Sequence, residues 1–162
     1  MSPSSGDEFT ALLGALLDAG VDFVVIGGWA LPVHGAGRTT FDVDIVPDPE
    51  RANLERLAGA LRELEAHVPG ADPLQDPLSA NALTGGATVK CLTSLGELHV
   101  VQSQPGIPPY EELRGRALSI EIDGVRFEVC SYEDLVAMKL ATGRAQDEID
   151  VNDLRRARGE LE

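Results

Sequence analysis

Phe23-Val-Val-Ile26 is a four-residue apolar run that stops at Gly27-Gly28, and this juncture constrains the fold more than any other part of the chain. A run that short, with two β-branched valines and an isoleucine, reads as a buried strand. The glycine pair lets the chain turn sharply and opens one or two helical turns over Trp29 to His34, where Pro32 is tolerated in the first turn. Thr39 to Val46 then reads as a second strand, ended by Pro47 and Pro49. On that strand Asp42 and Asp44 lie two residues apart and point from one face. Two acids beside a glycine turn that exposes backbone N–H groups are what metal-dependent phosphate chemistry needs. The alternation of Phe41, Val43 and Ile45 with the acids also suits any half-buried strand, so the pair alone decides nothing.

The remaining elements follow from periodicity. Phe9 to Gly20 is an amphipathic helix, with Ser5 and Asp7 before it as caps and a glycine at its end. Glu50 to His67 repeats Leu54, Leu57, Leu61 and Leu64 at helical spacing. Residues 68–84 hold three prolines and little periodicity and read as a loop. Strands are expected near Ala87–Leu92 and Glu97–Gln102, with a break at Pro105 to Pro109. Leu118–Ile122 and Val125–Val129 alternate around Asp123-Gly124, a hairpin signature. Tyr132–Thr142 and about Glu148–Arg158 close the chain as two helices. This order predicts one α+β (α/β three-layer) domain spanning residues 1–162, a mixed sheet flanked by helices with a C-terminal helical pair.

At 162 residues the chain can bury a core without staples, and with 43% hydrophobic but only 4% aromatic residues that core is Leu, Val, Ile and Ala. Cys91 and Cys130 lie in apolar strand-like runs outside any metal spacing, so buried free thiols in a reducing cytosol are expected. No apolar run is long enough for a membrane span and residues 1–8 carry no leader pattern, which predicts a cytoplasmic protein without a membrane partner. The formal net charge of −14 repels phosphate backbones and disfavours broad nucleic-acid binding. Arg114, Arg116, Arg144, Arg155, Arg156 and Arg158 nevertheless offer a local basic patch in the second half.

Near the paired acids, Arg38 is positioned to neutralise a triphosphate or to form an exposed salt bridge. His34 reads as a packing or capping residue, and Trp29 as core or pocket lining. Taken together, Gly27-Gly28-Trp-Ala, His34-Gly and Arg38-Thr-Thr-Phe-Asp42-Val-Asp44 resemble the signature of the DNA polymerase β-like nucleotidyltransferase superfamily. Lys139-Leu-Ala-Thr-Gly-Arg144 and Asp147-Glu-Ile-Asp150 resemble the Lys-x4-Arg and Asp-x-x-Asp elements of AbiEii-type toxin nucleotidyltransferases. The likeness covers about residues 20–155.

The resemblance implies a minimal nucleotidyltransferase fold, with Gly27 and Gly28 holding phosphates and Asp42 and Asp44 binding Mg²⁺ or Mn²⁺. It further implies that Lys139 contacts the nucleotide and that Asp150 organises the site beside Asp147 and Arg144. Where such proteins carry a third carboxylate on a later strand, this chain has Glu97-Leu-His99. Imidazole suits Zn or Mn better than Mg, and Glu97 shares a strand face with His99, so either residue can complete the metal site or activate an acceptor. The implied reaction is transfer of a nucleoside monophosphate from an NTP to an acceptor hydroxyl, on RNA, particularly tRNA, or on a small molecule. A toxin–antitoxin setting with a cognate antitoxin goes with the AbiEii likeness. The alternative is a catalytically silent protein that binds nucleotide or a partner.

Overall fold

A computed structural model describes residues 5–37 and 40–160. Its centre is a six-stranded mixed sheet in the order β3-β4-β2-β1-β6-β5. Strand β1 (Phe23–Ile26) is buried at all four residues, as its unbroken apolar run requires for a strand covered on both faces. Beside it, β2 (Val43–Pro47) runs antiparallel, with Ile26 opposite Asp44. Strands β3 (Val89–Thr93) and β4 (Gly96–Val100) form a hairpin whose β4 lies parallel to β2. On the other side β5 (Leu118–Ile122) and β6 (Val125–Val129) form the Asp-Gly hairpin, joined to β1 by a parallel pairing. Asp123 and Gly124 both have positive φ, +50° and +80°, the geometry for which Asp-Gly is selected in a two-residue turn.

Helices flank the sheet. Helix α1 (Ser5–Asp18) packs on β6 through Phe9, whose ring stands edge-on to Phe127 at 5.4 Å and stacks on Trp29 at 4.0 Å. That stack makes Trp29 a packing residue. From α2 (Arg51–Glu63), the buried Asn53 accepts from the Asp22 amide and donates to the Asp22 and Asp48 carbonyls. One side chain thereby ties the entry of β1 to the exit of β2. His34 lies in the second of two 3-10 turns, Gly27–Ala30 and Pro32–His34, and its Nε2 bonds the Cys130 carbonyl at 2.9 Å. It acts in packing, as its sequence context suggests. Cys91 and Cys130 are buried free thiols four strands apart, and burial pushes them up to about 11 and about 12. No helix among the described residues is long and apolar enough to cross a membrane.

Several boundaries differ from expectation for local reasons. Strand β2 begins at Val43, because Gly27 turns away just past the Ile26–Asp44 pair and the ladder with β1 has no further partner; Thr39, where the expected strand starts, lies outside the described residues. The first helix takes Asp7 into its first turn instead of using it as a cap. The stretch 68–84 ends in a short helix, α3 (Ala80–Thr84), capped by Ser79, whose hydroxyl accepts from the Ala82 amide. Helix α4 (Tyr110–Arg116) follows the proline break; its seven residues are anchored by the fully buried Leu113. After α5 (Tyr132–Thr142), helix α6 (Ala145–Ala157) starts three residues earlier than its apolar spacing indicates.

Candidate active site

The glycine pair and the acid pair form one packed unit. Gly27 has φ +72°, and a Cβ there would run into the Asp44 carboxylate. A Cβ on Gly28 would press against Thr40 at 3.0 Å. Gly27 therefore needs glycine, for its left-handed backbone as well as for space, while a side chain at Gly28 would have to displace Thr40. Thr40 donates to Asp42 Oδ1 at 3.1 Å, which orients the carboxylate just ahead of β2. Asp42 and Asp44 are half-buried and face the same cleft.

Parallel pairing of β2 with β4 sets His99 directly beside Asp44. Its Nδ1 lies 2.8 Å from Asp44 Oδ1 and 3.5 Å from Asp42 Oδ2, and its Nε2 lies 3.2 Å from Glu97 Oε1. The hydrogen bond to Asp44 raises the His99 pKa above its ordinary value; burial opposes this, and the Asp44 charge, Glu97 and Asp42 reinforce it. Asp42, Asp44 and His99 each offer a ligand atom, all within 4.8 Å of one another. Glu97 grips the opposite ring nitrogen and lies outside this group, where a carboxylate fixes the orientation of a ligating imidazole.

The facing wall comes from the α5–α6 turn. Gly143, in the left-handed conformation, ends α5 and sends the chain straight into α6. This brings Lys139 against Asp147 and Asp150, all three buried. Lys139 Nζ donates to Asp150 Oδ2 at 2.7 Å and lies 3.6 Å from Asp147 Oδ1. Asp147 also accepts from the Thr142 hydroxyl at 2.7 Å, the Arg144 amide at 3.1 Å and the Arg144 guanidinium at 2.9 Å. Burial pushes the Asp147 carboxyl up, but these donors outweigh it and hold it at about 2. Gln146 donates to the second Asp150 oxygen at 2.9 Å.

The two walls enclose a cleft of about 380 Å³. Gly27, Gly28, Asp42, Asp44, Glu97, His99, Lys139 and Arg144 all line it, so residues more than a hundred positions apart converge. Asp150 sits behind Lys139 as its partner. Arg38 lies outside the described residues. Thr88, Lys90 and Gln104 also line the cleft, unanticipated from sequence. The β3–β4 register, which pairs Lys90 with His99, is what makes Lys90 a member of the site. The arginine patch is not a free basic surface. Arg114 pairs with Glu128, Arg116 with Asp134, Arg144 with Asp147, Arg156 with Asp153 and Arg158 with Glu133.

This architecture is shared with known nucleotidyltransferase folds. The antibiotic-resistance factor ANT(2'')-Ia superposes with a TM-score of 0.57 over 93% of this chain and 84% of its own, at 13% identity. An antigenic nucleotidyltransferase-like protein from Paracoccidioides brasiliensis superposes with a TM-score of 0.59 over 91% of this chain and 72% of its own, at 20% identity. At such identities the likeness establishes the fold. No curated protein matches the sequence significantly. A family profile described as nucleotidyltransferase of unknown function (DUF6036) matches residues 7–155. With the profile spanning both walls of the cleft, the chain belongs to this nucleotidyltransferase family.

Proposed function

We propose that this protein transfers a nucleoside monophosphate from an NTP to the hydroxyl of a small, neutral or cationic acceptor, with a divalent metal at Asp42, Asp44 and His99. The observation that carries the reading is the convergence of these three donors on the cleft floor beside the Gly27-Gly28 backbone. Two carboxylate oxygens and one imidazole nitrogen fit a divalent cation, and the nitrogen favours Mn²⁺ over Mg²⁺. Such a cation supplies charge neutralisation at the reacting phosphates. Thr40 and Glu97 hold Asp42 and His99 in register. Gly27 and Gly28 leave room for phosphates to approach the backbone. The acceptor hydroxyl passes its proton to the exposed Glu97 carboxylate, and its oxygen forms the bond to the α-phosphorus as the bond to pyrophosphate breaks. The contribution of the protein is positioning and electrostatics.

Charge supports the acceptor class. The net charge is −14, and five of the six arginines that would grip RNA are already bound to acids. An RNA acceptor in a toxin–antitoxin setting, which the likeness of residues 139–150 to AbiEii-type proteins suggests, lacks the basic track it needs. The test is transfer of α-labelled NTPs in Mn²⁺ or Mg²⁺ to a panel of hydroxylated small molecules and to total RNA. Labelling of small molecules, greater in Mn²⁺ and lowered at least about a hundred-fold by Asp44→Ala, is expected. Labelling of RNA alone would overturn the acceptor class. Nucleotide binding without turnover, unchanged by Asp44→Ala, would overturn the enzyme.

A further inference from the structure

We propose that Lys90, on the edge strand of the sheet, is the side chain that grips the phosphates of the nucleotide; this rests on the nucleotide-transfer reading above. Few cationic side chains line the cleft. Among the described residues these are Lys90, Lys139 and Arg144, besides the imidazole of His99. Lys139 is buried between Asp150 and Asp147, and Arg144 is bound to Asp147 through its guanidinium. These two cations face two carboxylates at short range, so the α5–α6 wall presents no net positive charge to a ligand. Lys139 is therefore already engaged by carboxylates rather than free for a phosphate.

Lys90 differs on each count. It is exposed, and no carboxylate lies within ion-pairing distance of its ammonium among the described residues. Antiparallel pairing with His99 sets it on the face that carries Asp44. Side chains of directly paired residues stand side by side on a sheet. Thr88, two residues earlier on that face, accepts from the Gln102 and Ser103 amides at 3.3 Å and pins the approach to β3. The result is an unpaired ammonium on a fixed strand, one residue pair away from the metal-binding trio. A polyphosphate lying from the trio toward the sheet edge meets Lys90 before any other free cation among the described residues.

The experiment is calorimetric titration of the full chain with inorganic tripolyphosphate and with ATP, GTP, CTP and UTP, in Mn²⁺. Lys90→Met should weaken tripolyphosphate and the preferred NTP in parallel by about ten- to a hundred-fold, the effect of losing one charge-assisted contact. Lys90→Arg should restore most of the affinity, and the thermal midpoint of both variants should match the parent, because the side chain is exposed and unpaired. A Lys90→Met variant that binds tripolyphosphate and NTP as tightly as the parent would overturn the proposal while leaving the nucleotide site intact. A parent protein that binds none of the five would overturn the functional reading, and this one with it.

Discussion

Lys139 carries its ammonium 2.7 Å from Asp150 and 3.6 Å from Asp147, with all three side chains withdrawn from solvent. A buried ion pair of this kind is not a large net source of stability, but removing the ammonium takes a close contact from both carboxylates, which keep Arg144, Thr142 and Gln146. Lys139→Met should therefore cost about 2 to 3 kcal/mol in urea unfolding. A loss below about 1 kcal/mol would mean that Lys139 is held for a ligand rather than for its carboxylates. The sequence marks Lys139, Asp147 and Asp150 as a set, yet spacing along two helices does not say which groups satisfy one another. That depends on the Gly143 turn, which folds α6 back onto α5. Lys90 is less legible still. Val89-Lys-Cys-Leu looks like any edge strand until the register against His99 is known. The opposite holds for Gly27 and Asp44, where a glycine pair followed by Asp-x-Asp is a local signal, and the structure supplies its reason: the carboxylate occupies the space of a side chain at Gly27.

At the scale of elements, the N-terminus of α6 is stabilised by its own Asp147, which accepts from the Arg144 amide and guanidinium and from Thr142 at the end of α5. The folded-state carboxyl titrates at about 2, against an ordinary value of 3.8. A depressed carboxylate contributes stability that is complete above its unfolded pKa and is lost as pH falls through its folded one. The α5–α6 hairpin should thus lose stability between about pH 4 and pH 2, and Asp147→Asn should flatten that part of the melting-temperature profile. Superimposable pH profiles for the two proteins would contradict the assignment. Elements with several periods of pattern, such as α2, or with a diagnostic turn, such as the β5–β6 hairpin, are legible in sequence. Helices α3 and α4, with five and seven residues, are not. They are too short for a repeat to register, and they are fixed by a Ser79 cap and by burial of Leu113.

At the scale of the whole molecule, the sheet order β3-β4-β2-β1 brings the Asp pair, His99 and Lys90 onto neighbouring strands, and the C-terminal helices close the cleft from the other side. The net charge of −14 and the pairing of Arg114, Arg116, Arg144, Arg156 and Arg158 with acids disfavour a polyanionic acceptor in the proposed reaction. In the proposed reaction Asp42, Asp44 and His99 bind one divalent cation together. The decisive measurement is pulsed electron paramagnetic resonance of the protein with one equivalent of Mn²⁺. Modulation from a directly coordinated imidazole nitrogen is expected, lost in His99→Gln, with Mn²⁺ affinity collapsing in Asp44→Ala. Stoichiometric Mn²⁺ bound without nitrogen coupling, or affinity indifferent to Asp44, would contradict it.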